Sequence, residues 1–137
     1  MSAQTATSEY MVLCRGVRWD KGLSSEEIQN ADKRFYDWFD RLVSEGKIVK
    51  TGNRLAPEGK VLSGSKAITD GPLAESKEAI AGYWVIQAAS LEEAVEIAQG
   101  DPLLEYGHIV ELRPILPDPV RLSSGIQVGF ESPTDPD

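Results

Sequence analysis

The sequence has few of the residues that build metal and disulfide sites. Among its 137 residues there is one cysteine, Cys14, and one histidine, His108. A single cysteine cannot form an intrachain disulfide, and zinc sites made of several thiolates or of paired histidines are excluded. We therefore expect neither a metal nor a cofactor in this protein.

The chain is also short of basic residues and of long apolar runs. It has 22 acidic against 14 basic residues and a formal net charge of −8, which disfavours contact with nucleic acid or with an anionic membrane surface. Residues 1–9 lack the apolar core of a signal peptide, and no apolar run is long enough to cross a bilayer. The sequence predicts a soluble, cytoplasmic protein with no nucleic-acid or membrane partner.

The residues that are present suffice for one folded domain. Hydrophobic residues make up 41% of the chain, and its length fits one domain of ordinary size. We expect a flexible leader over residues 1–8, a folded domain over residues 9–116 and a Pro-rich tail over residues 117–137. Residues 126–130 of the tail are apolar enough to add one edge strand.

Two segments carry the signals of helices. Ser24 and Glu27 have the spacing of a capping box, in which the hydroxyl and the carboxylate each accept a hydrogen bond from a free backbone N–H. Apolar residues then recur at helical spacing up to Gly46, which fits a left-handed stop. A shorter stripe of the same kind follows later in the chain. The patterns predict helices over residues 24–45 and 90–100.

Apolar or alternating segments predict strands at residues 10–14, 47–55, 60–68, 80–88 and 107–115. We expect the second and third of these to form a hairpin. The element order is β-α-β-(β)-β-α-β, which indicates an α+β, ferredoxin-like fold with an antiparallel sheet and both helices on one face. The strands carry apolar residues on both faces. A second copy of the sheet is the simplest cover for the other face, so the sequence predicts a homodimer or a higher homo-oligomer.

Two motifs carry a resemblance to a known family. One is the Thr69-Asp70-Gly71-Pro72 turn ahead of an apolar strand, and the other is Val110-Glu111-Leu112-Arg113-Pro114 near the end of the domain. Together they resemble the YCII-related family, in the branch named for its DGPF motif, with Leu73 in the place of the motif's Phe. The resemblance implies a dimeric α/β barrel, in which two ferredoxin-like units pack sheet to sheet around a cleft. A His–Asp catalytic pair has been proposed for the wider group, although a shared fold does not confer an activity.

His108 and Asp70 are the candidate catalytic residues. His108 is the only side chain with an ordinary pKa near neutral pH, and it fits a general base whose tautomer Asp70 would orient. Each residue also has a structural explanation. His108 sits at the start of a strand and shares a face with Val110 and Leu112, whereas Asp70 before a glycine shapes a turn through hydrogen bonds to the backbone.

Four residues are candidates for ligand binding. Glu111 and Arg113 are two apart on one strand and therefore share a face, where they either form an interfacial salt bridge or hold an anionic ligand. Arg15, at the end of the first strand, could join such an anion site. Tyr83 could line an apolar cavity or pack in the core.

Two functions from different classes follow. In the first, a homodimer binds a small apolar or anionic metabolite in a cleft at the sheet and dimer interface, with cofactor-independent acid–base chemistry by His108. In the second, the protein is a non-enzymatic accessory or regulatory dimerisation module. Both remain open at this point, because the turn and the charged pair have adequate structural explanations.

Overall fold

A computed structural model describes residues 6–16, 19–64, 67–70, 79–117, 120–121 and 127–128. Two α-helices and eight strands follow one another in the order β1 (Ser8–Arg15), α1 (Ser25–Ser44), β2 (Ile48–Arg54), β3 (Lys60–Ser63), β4 (Ala67–Asp70), β5 (Ile80–Ala88), α2 (Leu91–Ala98), β6 (Val110–Pro114), β7 (Val120–Arg121) and β8 (Gln127–Val128). A 3-10 helix, Pro102–Tyr106, lies between α2 and β6.

The main sheet has four strands in the order β2-β5-β1-β6. Every neighbouring pair in it is antiparallel. Strands β5 and β1 are the two inner strands of this sheet. With two helices connecting the strands, this order confirms the predicted α+β, ferredoxin-like fold.

The helices begin where their capping residues predict. The Ser24 hydroxyl accepts a hydrogen bond from the Glu27 N–H at 3.1 Å, and the Glu27 carboxylate accepts one from the Ser24 N–H at 2.8 Å. This is a complete capping box. At α2 the Ser90 hydroxyl accepts from the Glu93 N–H, but the Glu93 carboxylate reaches Ala89 instead of Ser90. Among the described residues, neither helix combines the length and the apolar character that a membrane span requires.

Both helices pack on one face of the sheet and enclose the core. Strand β1 sends alternate side chains into it, and β2, β5 and both helices supply the rest. Four aromatic rings of α1 and β5 meet with centroids 5.3 to 6.5 Å apart, the geometry of favourable edge and offset contacts. The buried cluster consists of Tyr10, Val12, Cys14, Trp38, Leu42, Ile48, Trp84, Ile86, Ala88, Ala94 and Ala98.

Strands β3 and β4 differ from the hairpin that the sequence predicted. The predicted single strand over residues 60–68 is two short strands that pair with each other, because Gly64, with φ +72°, turns the chain back between them. Strand β2 pairs with β5 instead. Of the described elements, β3 and β4 contact only one another.

The chain after α2 also departs from the prediction. Helix α2 ends at Ala98, two residues before the predicted end, and Pro102 begins the 3-10 helix, with Asp101 as its N-cap. Gly107, with φ +88°, closes that helix, so β6 starts three residues later than predicted. In the tail, β7 and β8 pair with each other; residues 118–119, 122–126 and 129–137 of the predicted tail lie outside the described residues.

Candidate functional site

We call the face of the sheet opposite the helices the open face. Since side chains alternate along a strand, the residues between the core positions point to this side. Across the sheet they form two rows: Glu111, Leu13, Tyr83 and Asn53 in one, and Arg113, Met11, Val85 and Lys50 in the other. In the described part of the chain no helix covers this face. It therefore mixes apolar and charged side chains that the fold itself does not enclose.

Three of the predicted ligand-binding residues meet on the open face. Glu111 lies between two arginines: its Oε1 is 3.1 Å from Nη2 of Arg15, and its Oε2 is 3.6 Å from Nη1 of Arg113. The side chains of Arg15 and Glu111 are 27% and 33% exposed, whereas that of Arg113 is 67% exposed. Each carboxylate oxygen thus faces a different guanidinium, and Arg113 is the more loosely held.

The fourth, Tyr83, lies in the same row as Glu111, on the far side of Leu13. Its hydroxyl donates a hydrogen bond to Oδ1 of Asn53 at 3.3 Å. Tyr83 is half-buried, and neighbouring Val85 is only 2% exposed. Tyr83 is not part of the helix-side core, which leaves the cavity-lining interpretation in place.

Of the two predicted catalytic residues, the structure describes the side chain of His108 alone. His108 is half-buried ahead of β6; burial lowers its pKa below the ordinary 6.5, and its Nδ1 is buried with no hydrogen-bond partner in the described part of the protein. Asp70 ends β4, and its side chain is outside the described residues, as is the rest of the turn, residues 71–73. The His108–Asp70 pair therefore remains a prediction.

Asp101 is a buried carboxyl that the sequence patterns did not predict. It is 3% exposed, and its Oδ1 accepts a hydrogen bond from the Leu103 N–H at 2.8 Å. Its Oδ2 is buried and has no partner among the described residues. Desolvation raises the pKa of Asp101 to about 6, although the hydrogen bond from Leu103 opposes the shift. An Asp directly before Pro102 is an N-cap signal that the sequence already contained.

Asp101 lies close to Cys14 of β1. Burial, and secondarily the charge of Asp101, raise the pKa of the Cys14 thiol to about 12, so the thiol stays protonated and is a poor nucleophile. Cys14 therefore acts as a small apolar residue of the core. Among the described residues, no group of three or more His, Cys, Asp or Glu side chains is placed to hold a metal ion.

Comparisons with known proteins match most of the chain to one protein family. The model of the YCII-related domain family matches residues 9–117. An uncharacterised protein of Rhizobium meliloti (strain 1021) is 30% identical over 101 residues, which are 66% of this chain and 77% of that protein. The matched segment runs from β1 past β6 and so contains every strand of the main sheet and both helices.

Proposed function

The chain belongs to the YCII-related family, and from that premise we propose that it is a homodimer whose two open faces enclose a cleft for a small apolar or anionic metabolite. We place it in the DGPF-type branch, on its Asp70-Gly71-Pro72 sequence. The single observation that carries the proposal is the composition of the open face. It combines apolar side chains with the Arg15–Glu111–Arg113 cluster and has no helix over it in the described chain.

The apolar part of the open face supports an association of two copies. Met11, Leu13 and Tyr83 are half-buried there, and they adjoin Val85 at the middle of the sheet. A second sheet packed on these side chains at the usual spacing of about 10 Å would remove their remaining apolar surface from water. The charged cluster beside them would then line the cleft between the subunits.

Sedimentation equilibrium tests the assembly directly. We expect a dimer at micromolar concentration, and we expect Leu13→Asp to dissociate it, because an unpaired carboxylate at the centre of the interface is costly to bury. Tyr36→Asp is the matched control, since Tyr36 is an exposed residue of α1 and its replacement should leave the dimer intact. A wild-type monomer, or equal effects of both substitutions, would refute the proposed assembly.

Acid–base chemistry at His108 is the catalytic form of this proposal. A histidine whose pKa is lowered by burial is neutral at neutral pH, which is the state a general base requires. We propose Asp70 as the carboxylate that orients it, from either subunit. His108→Ala is expected to abolish proton transfer on a bound metabolite and to leave the dimer intact. NMR measures this transfer as the uptake of deuterium from the solvent. Unchanged uptake would eliminate His108 as the base.

The alternative is a non-enzymatic dimerisation module, in which the charged cluster serves the contact between subunits. The bridging position of Glu111 between Arg15 and Arg113 is what favours it. Under this alternative, Glu111→Ala and Arg113→Ala weaken dimerisation, and no small molecule competes with the effect. In the metabolite-binding form, the same substitutions change ligand affinity more than they change the dimer.

A further inference from the structure

The charges on the open face leave a small positive excess. Among the described residues of the main sheet, three basic side chains lie on this face, Arg15, Lys50 and Arg113, and two acidic ones, Glu9 and Glu111. Both oxygens of Glu111 are directed at arginines, so this carboxylate offsets one of the two guanidinium charges beside it. One positive charge remains, although the whole chain carries a formal charge of −8. The open face thus differs in sign from the protein's average.

Arg113 is the side chain best placed to use that charge. Its distance of 3.6 Å to Glu111 exceeds that of a well-formed hydrogen bond, and its side chain is 67% exposed. A guanidinium has five N–H donors in a planar fork, and this fork matches the two oxygens of a carboxylate. Arg113 can therefore take an external anion and keep its contact with Glu111.

Apolar surface begins directly beside this guanidinium. Arg113 of β6 is opposite Met11 of β1, which is half-buried, and half-buried Leu13 of β1 lies beside Met11 on the same face. Val85, the next residue of the Arg113 row, is already buried within the chain. Adjacent strands are about 4.8 Å apart, so an anion at Arg113 that carries an apolar body would lay that body on Met11 and Leu13. A small hydrophilic anion would leave these two side chains uncovered.

We propose that the open face selects an apolar monocarboxylate, and that Glu111 is the residue that makes it prefer one negative charge over two. The inference rests on the proposed function, since it specifies the ligand class of the same surface. One negative charge balances the excess beside Arg113. A second would lie close to the Glu111 carboxylate, and the repulsion between like charges would oppose it.

Isothermal titration calorimetry at pH 8 with three ligands of similar size tests the preference. Benzoate carries one negative charge, benzamide none, and phenyl phosphate two. We expect wild-type protein to bind benzoate about tenfold more tightly than either of the others, the ratio that about 1.4 kcal/mol produces. Equal affinities for benzoate and benzamide, or no binding of benzoate up to its solubility limit, would overturn the inference.

Two substitutions assign the preference to residues. Glu111→Gln should raise the affinity for phenyl phosphate about tenfold relative to benzoate, because the opposing carboxylate is gone. Arg113→Gln should weaken benzoate about tenfold and leave benzamide unchanged. Lys33→Gln is the matched control: Lys33 is an exposed residue of α1 that pairs with Asp37, and its loss should alter none of the three affinities. An unchanged ratio in Glu111→Gln would overturn the role of Glu111.

Sedimentation of the same samples tests the inter-subunit cleft separately from the preference for a monoanion. A wild-type monomer would refute the inter-subunit cleft, whatever it binds. A dimer that binds benzamide as tightly as benzoate would retain the cleft and overturn only the preference for a monoanion. The wild-type comparison of three ligands decides that preference even if a variant fails to fold.

Discussion

The two faces of the main sheet come from the same strands and yet differ in kind. On the helix side, β1 and β5 bury Val12, Trp84 and Ile86 under aromatic rings of α1. On the open side, the residues between them include Arg15 and Tyr83, which are half-buried and bound to polar partners. The helix face is complete within one chain, whereas the open face has apolar and charged groups that are incompletely covered.

The helix face accounts for the stability of the chain, and the open face is the candidate for its function. A core that excludes water and packs tightly is what holds a small domain together. Charged side chains beside a partly covered apolar row add little to the stability of a single chain, since solvent screens them. Their placement is more simply understood as serving a ligand or a second subunit. Substitutions on the two faces should therefore have different kinds of effect.

The sharpest test uses two neighbours in β5 that point to opposite faces. Trp84→Ala should lower the free energy of unfolding by about 4 kcal/mol, the usual cost of removing a buried Trp ring. Tyr83→Ala should cost about 1 kcal/mol in a monomer, because its ring is half-buried. Urea denaturation followed by circular dichroism measures both values.

Protein concentration sharpens the same comparison. If the open face is a subunit interface, the cost of Tyr83→Ala grows with protein concentration, since association stabilises the folded state by mass action. The cost of Trp84→Ala should keep its size. Costs of equal size for the two substitutions in dilute protein would contradict the division between the faces.

Gly52 of β2 is expected to give the next largest effect. Its φ is +66°, and an added Cβ would overlap the Tyr83 carbonyl oxygen of β5. Gly52→Ala combines a left-handed backbone with a clash against a main-chain atom, and we expect a loss of about 3 kcal/mol in the free energy of unfolding. Gly46→Ala is the control. Gly46 has φ +78° with open space around its Cβ position, so only the strain remains, about 1 kcal/mol.

Buried Asp101 gives a smaller effect that depends on pH. Its pKa rises from 3.8 to about 6 on folding, so the folded state binds this proton more tightly than the unfolded chain. The stability that this proton gives is complete below pH 3.8 and is lost as pH rises through about 6, and the shift corresponds to about 3 kcal/mol at most. Asp101→Asn keeps an oxygen for the Leu103 N–H and should be about 2 kcal/mol more stable than wild type at pH 8.

His108 opposes this trend, which the measurement must allow for. Burial lowers its pKa in the folded state, so its contribution to stability is present above pH 6.5 and is lost as pH falls below that value. The profiles of free energy of unfolding against pH should therefore be recorded for Asp101→Asn, His108→Gln and the double variant. A wild-type profile that Asp101→Asn leaves unchanged above pH 6 would show that the carboxyl is not buried as described.

Local patterns in the sequence were enough for the helices and for the two faces. The Ser24–Glu27 capping box, the strand at residues 80–88 and the shared face of Glu111 and Arg113 each depend on residues a few positions apart. Strand pairing depends on distant residues, so nothing local showed that β2 pairs with β5. The division of the strand at 60–68 did have a local signal, the turn-forming Gly64 inside it. The neighbourhood of Asp101 was missed because its burial near Cys14 results from packing between distant segments.

The smallest effect in a monomer is expected from the ion pairs themselves. The Arg15–Glu111 pair on the open face is about one-third exposed, whereas the Lys33–Asp37 pair on α1 is mostly exposed. Glu111→Gln should cost about 1 kcal/mol of unfolding free energy in dilute protein, and Asp37→Asn should cost less than that. Salt should reduce the second cost further, because the α1 pair is open to solvent.

The unfolding costs of these two substitutions should respond differently to dimerisation. In a dimer that buries the open face, Glu111→Gln leaves two arginines without their carboxylate in a site shielded from water, and its cost should rise to several kcal/mol. Asp37→Asn, on the opposite side of the molecule, should cost the same at every protein concentration. If the cost of Glu111→Gln is also independent of concentration, the cluster belongs to a surface that stays in water, and the open face does not join two copies of this chain.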